Sequence, residues 1–125
     1  MGSTQQLITP TRLFVDDERP APEGWWLALT SQQAIDMLEA HRDASSPMHT
    51  ISLDHDLGGE DTTRPVVLWM CENQWWPQHV YVHTGNPIGE EWLVGMVRRY
   101  APEGTLAGYG LNFWGTGPDS VIRNA

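Results

Sequence analysis

The sequence predicts a three-layer α/β domain, an open, mostly parallel sheet of four or five strands with helices on both faces. Two observations carry this reading. Short β-rich runs alternate with stretches of helical periodicity along the 125 residues, an order that calls for right-handed crossovers and parallel pairing. The strand-like runs also stop in turn-forming or polar residues, as strand ends do. One link departs from the pattern. An irregular loop of about nine residues joins the first two runs, short for a parallel crossover. The first crossover helix is therefore expected to be shortened or missing.

The elements follow in order. Leu13-Phe14-Val15 is the first strand, stopped by Asp16-Asp17-Glu18-Arg19-Pro20, and Pro20 to Gly24 cannot be helical throughout. Trp25 to Leu29 reads as the second strand. Thr30 and Gln33 fit a capping box, opening a helix with Ala34, Met37, Leu38 and His41 on one face. Ile51-Ser52-Leu53 is the third strand, ended by Asp54-His55-Asp56-Leu57-Gly58-Gly59. A second helix begins near Thr62 or Thr63, with Pro65 tolerable in its first turn and the run Val66 to Cys71 apolar on most faces. Val80-Tyr81-Val82 is the fourth strand, ended by His83-Thr84-Gly85-Asn86-Pro87. Asn86 caps a third helix with Pro87 at its first position. Leu93, Met96, Val97 and Tyr100 form its apolar stripe, while Glu90, Glu91, Arg98 and Arg99 complement its dipole. Thr105 to Tyr109 suggests a short final strand, and the Gly-rich 104–125 tail has no firm assignment.

Composition narrows the function. Seven Lys and Arg against sixteen Asp and Glu give a net charge of −9. Such a chain lacks the cationic footprint of a duplex-binding protein and is repelled by anionic lipid. All the basic residues are Arg (12, 19, 42, 64, 98, 99 and 123), and the absence of lysine excludes Schiff-base and P-loop chemistry. The one cysteine, Cys71, reads as a buried thiol in a reducing compartment. The start at Met1 has no signal-peptide pattern and no apolar run spans a bilayer, so a cytoplasmic location and a single domain over 1–125 are expected.

Three predicted strands end in chemistry-bearing groups: Asp16-Asp17, Asp54-His55-Asp56, and His83-Thr84 with Asn86. In an open α/β sheet these ends line one edge, where ligands sit. Clustered carboxylates repel unless a cation joins them. Asp16, Asp17, Asp54 and Asp56 are thus candidate ligands for a hard divalent ion, Mg2+ or Mn2+. Each residue also has a plain structural reading. Asp16-Asp17 could cap a turn, His55 and His83 could be satisfied core histidines, and Arg19 could pair with Glu18 or Glu23. His41, His49 and His79 read as surface or helix-end residues.

Taken together, Leu13 to Pro20, Ile51 to Gly58 and Val82 to Pro87 resemble the cyclic-phosphate-processing receiver-like domains, a divergent branch of the response-regulator receiver fold. The resemblance covers about 12–101 and implies a receiver-like, flavodoxin-like fold. A signalling receiver needs an acidic pair, a phosphoacceptor Asp, a Thr or Ser, and a lysine after the fifth strand. Asp16-Asp17, Asp54 and Thr84 match, whereas no lysine exists and Arg123 has a different geometry.

His55 and His83 instead suit acid and base roles in hydrolysis of a cyclic phosphate. Arg19, Thr84 and Asn86 are candidate phosphate donors, helped by the N-terminus of the third helix. Three uses therefore stay open: a metal-dependent phosphodiesterase acting on a small cyclic phosphate or cyclic nucleotide, a degenerate receiver or cyclic-nucleotide sensor without turnover, and an interaction domain. For the last, adjacent Trp25 and Trp26 face opposite ways, so one could stack a base or contact a homodimer partner.

Overall fold

A computed structural model describes residues 11–110 of the chain. Along it run β1 (Arg12–Val15), β2 (Trp26–Ala28), α1 (Ser31–Asp43), β3 (Thr50–Leu53), α2 (Arg64–Asn73), β4 (His79–Val82), α3 (Pro87–Tyr100) and β5 (Leu106–Tyr109). The five strands make one open sheet, all parallel, in the order β2-β1-β3-β4-β5. Arg123 and the rest of 111–125 lie outside the described residues, as do residues 1–10.

Local sequence sets the helix starts. Thr30 accepts a bond from Gln33 N at 3.1 Å, and Gln33 Oε1 accepts one from Leu29 N at 2.8 Å, so the reciprocal cap reaches one residue further back than a standard capping box. Asp61 holds the same helix start from across the fold, taking both Ser31 N (2.8 Å) and Ser31 Oγ (2.7 Å). Asn86 caps α3 by accepting from Gly89 N at 3.0 Å, with Pro87 in the first turn. The expected α2 start also holds, with Thr63 as the flanking residue and Pro65 in the first turn.

The pleat sorts the strand residues into two sets. Leu13, Val15, Ala28, Ile51, Leu53, Val80 and Val82 face the helices and join Ala34 and Leu38 of α1, Val66, Val67, Trp69 and Met70 of α2, and Leu93, Val94 and Val97 of α3 in one core. Burying each large apolar side chain there contributes about 1.5–3 kcal/mol. Among the described residues all three helices share this face. Their crossovers all run the same way along the sheet, from β2 over β1 to β3 and onward to β4 and β5, and right-handedness then stacks them on one side. The connection from β1 to β2 runs the other way and has no helix, as the short loop predicts. Helical cover on the second face is therefore not seen within residues 11–110. On that face Phe14, Ser52 and Tyr81 are paired across the sheet and buried.

Some sequence expectations are corrected. His41 lies in the last turn of α1, as the helix-end reading has it, but it is fully buried, with its ring nitrogens bonded to Met37 O (3.0 Å) and Thr11 Oγ1 (3.0 Å), so the surface reading gives way to a core one. His49 and His79 are half-buried neighbours, ring centroids 5.3 Å apart. Cys71 is half-buried, since the α2 face that carries Leu68 reaches solvent. Of the first tryptophan pair, Trp25 is buried edge-on against Phe14 and Trp26 is exposed. No described helix is long and apolar enough to cross a membrane.

Candidate functional site

Register brings the strand ends together. Val15 pairs with Leu53, and Leu53 with Val82, so the next residues, Asp16, Asp54 and His83, emerge side by side at the carboxyl edge. Asp16, Asp17 and Asp54 each offer one oxygen within 4.8 Å of the others. An open pocket of about 480 Å³ lies there, lined by Asp17, Glu18, Arg19, Asp54, Asp56, Gly58, Thr84, Gly85 and Asn86. That volume suits a small-molecule ligand.

Asp16 is buried and held from three directions. Its Oδ1 accepts from Glu18 N (2.8 Å) and Arg19 N (2.9 Å), and its Oδ2 lies 3.0 Å from His83 Nε2. Burial pushes its carboxyl up, but the His83 bond and the two backbone N–H groups outweigh that and hold it below its usual 3.8. The turn-capping reading of Asp16 is thus correct for one oxygen, while the other faces His83. Arg19 Nη1 lies 3.5 Å from that second oxygen, and the guanidinium is partly exposed at the pocket rim. Asp54 behaves oppositely. Burial, and then the charge of Asp16, raise its carboxyl above 3.8, with the Thr84 hydroxyl a smaller opposing influence. This mutual repulsion is what a cation relieves, and three oxygen donors at this spacing fit a hard divalent ion.

Asp56 stands apart from these three. Its side chain is 60% exposed, with Oδ1 3.1 Å from His55 Nδ1 and Oδ2 accepting from Asn86 Nδ2 at 3.0 Å. The Asn86 bond, ahead of the His55 contact, holds its carboxyl low. Asp56 lines the pocket as a clamp between two loops.

The two histidines are near the pocket but line no part of it. His83 is fully buried, stacked on Phe14 at 4.5 Å and 3°. Its Nδ1 lies 2.6 Å from Ser52 Oγ. Burial lowers its pKa more than Asp16 raises it, and with Nε2 donating to the Asp16 carboxylate, Nδ1 faces the Ser52 hydroxyl. His55 sits under α3, Nε2 accepting from Arg64 Nε at 3.0 Å, which leaves Nδ1–H to donate to Asp56. Both rings have their nitrogens engaged inside the protein. Each backs a carboxylate and neither is aimed at a ligand.

Three further residues shape the site. Ser52 is the small residue over which the His83 ring crosses β3 to reach Asp16, and its signal is a polar residue in the middle of an apolar strand. Gly58 lies against Asp17. A Cβ there would meet Asp17 Oδ2 at 2.9 Å, and φ of +87° already favours glycine. Arg64, from the first turn of α2, carries no sequence signal beyond its charge.

Residues 11–99 match the family described as the cyclic-phosphate processing receiver domain. Among solved structures, the signal receiver domain of an HD domain-containing protein from Pseudomonas fluorescens Pf-5 is 18% identical with a TM-score of 0.60, each chain covered to 93%. A fusion carrying the yeast Spc42 trimeric coiled-coil segment is 17% identical with a TM-score of 0.57, over 94% of this chain and 80% of that one. These structural likenesses show the fold alone. No curated protein matches.

Proposed function

The chain belongs to the cyclic-phosphate processing receiver family, and from that premise we propose that its carboxyl-edge pocket binds a small cyclic phosphate or cyclic nucleotide with a divalent cation and hydrolyses it. The observation that carries this is the convergence of Asp16, Asp17 and Asp54 oxygens within 4.8 Å beside a pocket that also holds Arg19, Thr84 and Asn86. Asp16, Asp17 and Asp54 would hold Mg2+ or Mn2+. When bound, the ion supplies Lewis acidity to the phosphoryl oxygens and to water.

The protein's own groups do the rest. His83, Glu18 N and Arg19 N keep Asp16 an anion in a fixed orientation. Arg19 grips the phosphate at the rim, where two parallel N–H bonds are geometrically available to a guanidinium. The second Asn86 Nδ2 hydrogen and the capped start of α3 add donors on the opposite wall, and Thr84, whose hydroxyl bonds Asp54, donates to phosphate once a cation takes up that carboxylate. A water oxygen bonds to phosphorus and gives up one proton to solvent, one ring P–O bond breaks, and the released alkoxide takes one proton from solvent through the open mouth. The net change is addition of one water, giving a linear phosphomonoester. In this scheme His83 and His55 are positioning residues for Asp16 and Asp56.

Binding without turnover is the second reading, favoured by the seclusion of both imidazoles. Incubation with Mg2+ or Mn2+ and a panel of 2′,3′- and 3′,5′-cyclic nucleotides separates the two. Linear product that disappears with EDTA and in Asp54→Asn supports hydrolysis. Saturable binding with no product under either metal supports the sensor. Stable labelling of Asp54 by acetyl phosphate contradicts both and restores a phosphorelay role.

A further inference from the structure

Arg64 sits at the end of a continuous chain of contacts that leads into the pocket. Its guanidinium lies over the Trp92 ring, 4.7 Å from the centroid, and its Nε donates to His55 Nε2 at 3.0 Å. His55 Nδ1 meets Asp56 Oδ1 at 3.1 Å. Asp56 Oδ2 accepts from Asn86 Nδ2 at 3.0 Å, and Asn86 Oδ1 accepts from Gly89 N at 3.0 Å. Every link uses a different atom of its residue, so the chain has a defined polarity. Arg64 has only donors, which fixes His55 as the Nδ1–H form. That proton in turn gives Asp56 a donor, leaving Asp56 Oδ2 to orient the Asn86 amide. The fit is close as well as bonded, because a Cβ on Gly89 would run into the His55 ring.

We infer that Arg64 is a positioning residue for phosphate. Through His55 and Asp56 it locks the Thr84-Gly85-Asn86 loop in the conformation that receives a phosphoryl group. The inference rests on the pocket being a phosphate site, and it separates two halves of that pocket. The Asp16-Asp17-Asp54 half holds the cation. Asp54 touches the chain of contacts, accepting the backbone N–H of His55 at 2.8 Å and meeting the Thr84 hydroxyl, but Arg64 holds the His55 ring and not that N–H. The Asn86 half holds the anion and depends on Arg64, so the phosphate affinity is the one that follows Arg64.

The test is made on the whole 125-residue chain with Mn2+ alone and then with inorganic phosphate added to the Mn2+-loaded chain, both by calorimetry. Arg64→Met is expected to keep Mn2+ affinity within about twofold and to weaken phosphate about tenfold, the size typical of a lost orienting contact. Arg64→Lys, which retains a donor, recovers part of the loss. Trp92→Leu unseats the guanidinium from the other side and gives a smaller loss of the same kind, so the test survives if Arg64→Met does not fold. In ¹⁵N spectra Arg64→Met shifts the His55 ring nitrogens and the Asn86 side-chain amide while the amides of β1 and β3 stay in place, which a general loosening would not do. Unchanged phosphate affinity in folded Arg64→Met, or equal loss of Mn2+ and phosphate, overturns the inference. A wild-type protein that binds Mn2+ but takes up no phosphate overturns the phosphate reading of the pocket and this inference with it.

Discussion

His83 Nε2 and Asp16 Oδ2 lie 3.0 Å apart with both side chains fully buried, although they leave strands that are not neighbours. The link spans β3 because the intervening residue, Ser52, is small and contributes its own hydroxyl to His83 Nδ1. A carboxylate this deep needs its donors.

Removing the donor has a predictable cost. His83→Ala strips one bond from a buried anion and empties the space over Phe14, so it should cost about 2–4 kcal/mol of folding stability. Urea unfolding measures it. Mn2+ affinity should fall as well, because Asp16 loses its fixed orientation. A cost within about 0.5 kcal/mol would show the contact to be incidental.

Two glycines of α3 predict opposite signs. Gly95 has open space where a Cβ would sit, so Gly95→Ala should stabilise by about 0.5–1 kcal/mol through helix propensity. Gly89→Ala gains the same propensity but drives its methyl into His55. It should be net destabilising by about 1–3 kcal/mol. Thermal or urea unfolding of the pair reads the difference directly.

The turn below the pocket gives a matched comparison. Gly58 and Gly59 both have positive φ, +87° and +57°, yet only a Cβ on Gly58 meets Asp17. Each alanine variant should cost about 1–2 kcal/mol of backbone strain. Only Gly58→Ala should also weaken Mn2+ binding, by about tenfold, because it displaces a carboxylate of the cluster. Calorimetric titration of both variants distinguishes strain from site damage.

Acid should destabilise the opposite end of the sheet through His49. Burial first, then the charges of Arg12 and His79, hold its pKa below the ordinary 6.5. The unfolded chain therefore takes up this proton at higher pH than the folded one. The stability this site contributes is fully present above 6.5 and is lost as pH falls through the lower folded value. The expected outcome is a urea midpoint that declines below about pH 6.5, with a shallower decline in His49→Asn. An unchanged slope in that variant contradicts the assignment.

The sequence was most informative where the physics is local. Asn86-Pro87 marks the start of α3 because capping and a fixed proline φ need only neighbours. The runs Leu13 to Val15, Ile51 to Leu53 and Val80 to Val82 are strands because β-branched and aromatic residues fill a pleated surface. Absence of a first crossover helix was readable from loop length alone. Position at the carboxyl edge also placed Asp16, Asp17 and Asp54 together. What a residue does at that edge depended on register, which single-strand patterns do not contain. His83 shares the pleat face of Tyr81 and so turns inward over Ser52, whereas an edge position alone suggested a free acid or base. Asp56 sat in the same tripeptide as Asp54 but leaves the strand, and its partner is Asn86 of a different loop.

The most direct test of the account is which carboxylates hold the cation. Mn2+ titration of the wild type by calorimetry should give one equivalent bound, with affinity reduced at least about tenfold in Asp54→Asn and within about twofold of wild type in Asp56→Asn. Wild-type affinity in Asp54→Asn, or loss of binding in Asp56→Asn, would contradict a site built from Asp16, Asp17 and Asp54.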